Sequence, residues 1–214
     1  MENAVADCHR LIVVGMGPGA PEYMLPAARI AITEANVLVG GKRALASYAQ
    51  PGQKTCAITG DIQNALAFIR RELAETDVCV LVSGDPGYYS MLDVLRINFP
   101  PECLQVIPGL SAMQLAFARL ALPWHEAEFL SFHGREPGQG KLTYAPGRLL
   151  GMLTDGEHTS HTIPQALMTH GWPGEARLHI CQRLSYPDEE IFHTQLSASA
   201  FLPEMAHGIL VVEG

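Results

Sequence analysis

Long apolar runs, paired cysteines and an excess of basic charge are all missing from this 214-residue chain. The most apolar long segment, Leu104 to Leu122, is interrupted by Pro108, Gly109 and Arg119, so it is not a membrane span. The N-terminus lacks the make-up of a signal peptide: Glu2 and Asp7 come early, and Leu11 to Val14 is too short an apolar stretch. The five cysteines (Cys8, Cys56, Cys79, Cys103, Cys181) are scattered, odd in number and without C-x-x-C spacing. That excludes a zinc ribbon or a local disulfide framework, and it is read as a reduced, cytoplasmic setting. Lys+Arg 14 against Asp+Glu 22 gives a net charge of −8, which argues against non-specific nucleic-acid binding. Charged residues are only 17%, which implies extensive burial. There is no solenoid repeat and no low-complexity tract.

What is present is apolar content of 48%, enough for a core, arranged as strand, turn and helix in alternation. Leu11 to Val14 reads as a buried strand ending at Gly15-Met16-Gly17-Pro18-Gly19. A helix follows from Pro26, whose ring suits a first helical position, behind Leu25, a poor cap without a side-chain acceptor. Val37 to Val39 and Thr55 to Ile58 read as strands, with a short helix from Arg43 to Tyr48 between them. Asp61 caps a helix whose Ile62, Leu66, Ile69 and Leu73 share one face. Val78 to Val82 is a strand ending at Ser83-Gly84-Asp85-Pro86-Gly87. Leu104 to Ile107 is another, ending at Pro108-Gly109-Leu110-Ser111, where Ser111 can cap a helix to about Ala121. The pattern predicts a mainly parallel N-terminal sheet over residues 1–122. Residues 123–214 read as a smaller α/β domain with a mixed sheet. Its strands are Glu128–Phe132, Leu149–Leu153, a hairpin of Arg177–Cys181 with Glu190–Thr194, and Ile209–Val212. A helix starts near Pro164 and a brief one spans Ser197–Phe201.

Three rigid glycine turns, Gly15–Gly19, Ser83–Gly87 and Pro108–Ser111, each follow a strand. In a parallel sheet they meet at the carboxyl edge, where backbone rather than side chains meets a ligand. Gly15-x-Gly17-x-x-Ala20 nominally fits a dinucleotide fingerprint, but Pro18 removes an amide from the loop. Pro21 and Pro26 also delay the helix, and the second strand ends on Gly40-Gly41 without an acidic residue. The chain has no G-x-x-x-x-G-K-[ST] phosphate loop. His158-x-x-His161 is a lone pair without a third ligand, so no metal is expected.

The stretches Val14 to Gly19, Ser83 to Tyr89 and Val106 to Ala112 resemble three successive motifs of the tetrapyrrole methylase family. Ser131 to Arg135, Leu153-Thr154-Asp155-Gly156 and Leu184 to Glu189 are similar to the branch that methylates C5 of the precorrin ring in cobalamin synthesis. The resemblance covers nearly the whole chain in motif order. It implies two α/β domains with the active site in the cleft between them, a homodimer, and S-adenosylmethionine as methyl donor. By position it implies donor contacts from Pro18, Ser83, Gly84, Asp85, Tyr88, Ser111 and Ala112. Leu153, Thr154 and Leu184 are the matching candidates from the second domain. Leu25 departs from the Thr or Ser cap common in the family, which weakens a helix start and touches no ligand.

The implied substrate is a polycarboxylate precursor of cobalamin, which needs cations and N–H donors. His133, Arg135 and Lys141, with Arg148 nearby, are the candidates. Carbonyls of the Ser83–Asp85 turn are candidates to face the sulfonium. No catalytic base is assigned, and Asp85 is read as a donor-site and loop-shaping residue. Some members carry a fused C15-methylating decarboxylase after this point, so association or fusion with one is expected. The alternatives are another methylation position on the ring and, from another class, a nucleotide-dependent oxidoreductase.

Overall fold

The computed structural model describes residues 9–134 and 136–214. The chain packs as two compact units, Met1–Ser111 and Ala112–Gly214.

The first unit is built on five parallel strands: β1 (Leu11–Gly15), β2 (Val37–Gly41), β3 (Lys54–Ile58), β4 (Val78–Val82) and β5 (Leu104–Ile107). Their order is β3-β2-β4-β1-β5. Alternate side chains feed two cores, as a pleated sheet buried on both faces requires. Leu11, Val13, Val39, Val78 and Val80 pack with Leu66 and Ile69 of α3 (Ile62–Glu72) and Leu95 of α4 (Leu92–Asn98). Val14, Leu38, Cys79 and Leu81 pack with Ala28 and Ile32 of α1 (Pro26–Glu34), and with Leu45 of α2 (Lys42–Tyr48). Asp61 caps α3 as expected, accepting from the amides of Gln63 and Asn64 at 3.1 and 3.4 Å. Leu25 stands before α1 with no side-chain cap bond. At the far end of α3, buried Glu72 accepts from Lys54 Nζ at 2.7 Å and from Arg71 at 2.9 Å, which holds its carboxyl below the usual range.

The second unit holds a mixed sheet of β6 (Glu128–Ser131), β7 (Leu149–Leu153), β8 (Arg177–Gln182), β9 (Glu190–Gln195) and β10 (Ile209–Glu213), in the order β6-β7-β10-β8-β9. Only β6 and β7 run parallel; β8 and β9 form the expected hairpin. α5 (Ala112–Leu120) packs with this unit: a Cβ on Gly151 would lie 2.6 Å from Met113 Sδ and 3.0 Å from Phe117. The packing division therefore falls before this helix, whereas the sequence reading draws it after residue 122. The opposite face covers Leu150, Met152, Leu178, Ile180, Leu210 and Val212 with α6 (Thr162–Thr169) and Trp172. The Trp172 indole donates to the Leu142 carbonyl at 2.7 Å. α6 begins before Pro164 because Thr159 and Thr162 exchange side-chain and amide bonds at its start. The brief helix near Ser197 is a 3-10 turn, Leu196–Phe201.

Among the described cysteines, Cys56, Cys79 and Cys181 are free thiols and Cys103 is disulfide-bonded. Burial pushes the Cys79 and Cys181 thiols up to about 12, so they act as small apolar groups. No helix among the described residues is long and apolar enough to cross a membrane.

Candidate functional site

Strand order brings the three glycine turns together. β1 lies between β4 and β5, so the segments leaving those three strands at their carboxyl ends are immediate neighbours. Their backbones then approach closely. A Cβ on Gly15 would lie 2.6 Å from the Gly109 amide nitrogen, and one on Gly109 would lie 2.2 Å from the Gly84 carbonyl oxygen. Neither position admits a side chain. Gly17 and Gly84, at φ +81° and +66°, form a short antiparallel bridge. The Gly84 amide donates to the Gly17 carbonyl at 2.8 Å, and the Gly17 amide donates back at 3.3 Å.

Asp85 closes this node. One carboxylate oxygen accepts from the Gly87 amide at 2.8 Å and the other from the Gly109 amide at 3.0 Å. The first bond is an Asx turn within its own loop; the second ties the β4 turn to the β5 turn. The loop-shaping role expected for Asp85 is thus present in the geometry. The Gly84 carbonyl is turned inward to Gly17 and Gly109, and the Asp85 carbonyl accepts from the Tyr88 amide at 3.1 Å. These two carbonyls, expected as candidates to face a sulfonium, are engaged in holding the turns.

Around the node, Pro86 is buried, Ser83 is exposed and Pro18 is half-buried. A Cβ on Gly84 would meet only the Ser111 Cα, at 3.6 Å, so this turn presents bare backbone on its open side. Ser111 is buried at the end of the unit, directly before Ala112 and α5. Half-buried Tyr88 meets Tyr89 edge to face at 5.0 Å, and Tyr89 takes φ +48°. Burial, and then Tyr89, push the Tyr88 phenol well above its ordinary value, so it serves as a neutral hydroxyl rather than a base. The first glycine turn runs into a 3-10 turn, Pro21–Tyr23, and not into a helix. A dinucleotide site has no helix N-terminus there to meet a pyrophosphate.

In the second unit, β6, β7 and β8 end, and β10 begins, at one edge of the sheet. This edge gathers His133, Leu153, Thr154 and Leu184. Thr154 is buried, and its hydroxyl accepts from the Gly208 amide at 2.7 Å while its amide donates to the Gly208 carbonyl at 3.1 Å. Gly208 in turn presses on β8, where a Cβ would meet the Cys181 carbonyl at 2.7 Å. Leu184 is buried just beyond. Asp155 accepts from the amides of Glu157 (2.9 Å), His158 (2.7 Å) and Gly134 (3.2 Å), and from His158 Nδ1 at 3.1 Å. The His158 and Glu157 amides lead in holding its carboxyl far below the usual range. Asp155 thereby fastens the β6 loop to the β7 loop, a link that sequence spacing does not reveal.

His133 and Lys141 are exposed, and Arg135 lies outside the described residues. Arg148 is spent elsewhere. Its guanidinium pairs with both Glu128 oxygens at 2.8 and 2.7 Å and reaches the carbonyls of Lys141 and Thr143. It pins the Gly/Pro-rich loop to β6 and is not available as an anion ligand. Of the His158/His161 pair, His158 faces Asp155 and His161 Nε2 lies 2.9 Å from the Leu202 carbonyl. The two rings serve separate loops.

Residues 10–200 match the model of the tetrapyrrole (corrin/porphyrin) methylases. The cobalt-precorrin-7 C(5)-methyltransferase of Salmonella typhimurium is 34% identical over 188 residues, 88% of this chain and 92% of that protein. The decarboxylating precorrin-6Y C(5,15)-methyltransferase of Sinorhizobium sp is 28% identical over 94% of this chain and 48% of that protein. The structure of uroporphyrin-III C-methyl transferase from Thermus thermophilus, complexed with S-adenyl homocysteine, superposes with a TM-score of 0.72 at 23% identity. It covers 95% of this chain and 91% of that one. The chain belongs to the tetrapyrrole methylase family.

Proposed function

We propose that the protein is an S-adenosylmethionine-dependent C-methyltransferase acting at C5 of a precorrin or cobalt-precorrin in cobalamin biosynthesis. The observation that carries this reading is the glycine node locked by Asp85, whose open side presents backbone at the carboxyl edge of a parallel sheet. The Salmonella relative, matched over most of both chains, points to the same position on the ring.

S-adenosylmethionine, when bound, supplies a methyl group on a positive sulfonium. The work left to the chain is to hold the donor, align the acceptor carbon and exclude water. Gly84 fits a donor site because it lacks a side chain and its open face meets only Ser111. Pro18, Ser83, Asp85, Tyr88 and Ser111 border the same turns; Ala112, Leu153, Thr154 and Leu184 are the second-unit candidates. The two Asp85 bonds set the turns before any ligand arrives. Such pre-set orientation contributes on the order of 7–11 kcal/mol in well-aligned reactions. His133, Arg135 and Lys141 are proposed to receive substrate carboxylates. We further propose a homodimer in a cytoplasmic setting. A C15-methylating decarboxylase partner is supported by the name of the Sinorhizobium protein, of which this chain spans 48%.

Calorimetry with S-adenosylhomocysteine and with NADH tests the class: the homocysteine product is expected to bind and NADH is not. Binding of NADH alone overturns the reading. Mass spectrometry of the product from a precorrin substrate is expected to place the new methyl at C5.

A further inference from the structure

Leu184, a donor-site candidate, is buried on the turn that joins β8 to β9. The residues on either side of it are left-handed without being glycine: Arg183 at φ +50° and Ser185 at φ +75°. A hairpin turn usually gives such positions to glycine or asparagine. With L side chains they persist only where neighbouring groups hold them. Within the loop, the Tyr186 amide donates to the Arg183 carbonyl at 3.0 Å. The Arg183 guanidinium pairs with Asp188 and lies 5.1 Å from the centre of the Tyr186 ring.

Glu189 ties this turn to a different element. One of its carboxylate oxygens accepts from the amide of left-handed Ser185 at 2.7 Å. The same carboxylate accepts from the Arg119 guanidinium at 2.6 and 3.3 Å, across 70 residues of chain. Two parallel bonds from a guanidinium fix a carboxylate in orientation as well as in place. The Glu189 side chain is 19% exposed, so water competes little for it. Arg119 stands in the last turn of α5, whose Met113 and Phe117 are buried beside Gly151 of β7. The same helix starts at Ala112, another donor-site candidate. One carboxylate thus joins the turn carrying Leu184 to the helix carrying Ala112.

We propose that Glu189, held by Arg119, is a positioning residue for the methyl donor, acting through the Ser185 amide on the turn that presents Leu184. The proposal rests on the methyltransferase reading. Calorimetry with S-adenosylhomocysteine, well below the melting temperature of each variant, tests it. Glu189→Ala is expected to weaken binding about tenfold with the circular dichroism spectrum retained. Glu189→Gln keeps an oxygen for the Ser185 amide and is expected to recover part of the loss. Arg119→Ala, made on the helix, is expected to weaken binding about threefold, and the double alanine variant no more than Glu189→Ala alone. It also carries the test if Glu189→Ala does not fold. Unchanged affinity in the folded alanine variants, with only a lowered Tm, marks a structural brace and overturns the proposal. A glutamine variant as weak as the alanine one overturns it too, as does full additivity of the two alanine substitutions. Failure of the unaltered protein to bind S-adenosylhomocysteine overturns the methyltransferase reading instead, so the two failures are told apart.

Discussion

Asp85 shows how one side chain sets a site without taking part in chemistry. Both of its carboxylate oxygens are used on backbone amides, one local and one from the neighbouring turn. Replacing it with alanine takes the acceptor from the exposed Gly87 amide and the half-buried Gly109 amide, at about 1 kcal/mol for a hydrogen bond that water can partly replace. We expect Asp85→Ala to lower S-adenosylhomocysteine affinity about tenfold in calorimetry, with the circular dichroism spectrum retained. Unchanged affinity would show that the turns hold their shape without it. Gly109→Ala is more severe, since its Cβ would sit 2.2 Å from the Gly84 oxygen. That distance cannot be relieved by a rotamer, so the β4 and β5 turns must separate.

Elements are legible where local chemistry decides them. Asp61 announces α3, and removing the cap with Asp61→Ala is expected to cost about 1 kcal/mol, seen as a lower Tm. Val78–Val82 and Leu104–Ile107 coincide with the strands read from their apolar runs, because both are bounded by residues that end strands. Boundaries shift where a bond from outside the run intervenes. Thr159 and Thr162 advance the start of α6 ahead of Pro164. Arg148 reads as a cation in a polar loop, yet its partner Glu128 lies on another strand, and only the pairing of β6 with β7 brings them together.

At the level of the molecule, carboxylates set the acid limit. Glu72, Glu128, Asp155 and Glu189 all lie below their ordinary values, through bonds to Lys54 and Arg71, to Arg148, to the His158 and Glu157 amides, and to Arg119. A group depressed on folding stabilises the native state above its unfolded value, and that stabilisation is lost as pH falls through the folded value. Stability should therefore be level through neutral pH and decline below about pH 4.3, the ordinary glutamate value. Thermal melts at stepped pH check this, and Glu72→Gln should make the acid decline shallower. A melt that is flat down to pH 3 would contradict it.

Alternating apolar residues and glycine-proline turns in the sequence already imply two α/β units, a parallel first sheet and three rigid turns at one edge. They do so because strand burial, positive φ and proline geometry are properties of short stretches. The sequence does not reveal that β1 lies between β4 and β5, which makes those turns neighbours. Nor does it reveal that Asp85 reaches Gly109, that Asp155 reaches Gly134, or that Arg119 reaches Glu189. Those pairings join residues far apart along the chain. Strand order and close backbone packing choose them, and no local pattern carries that information.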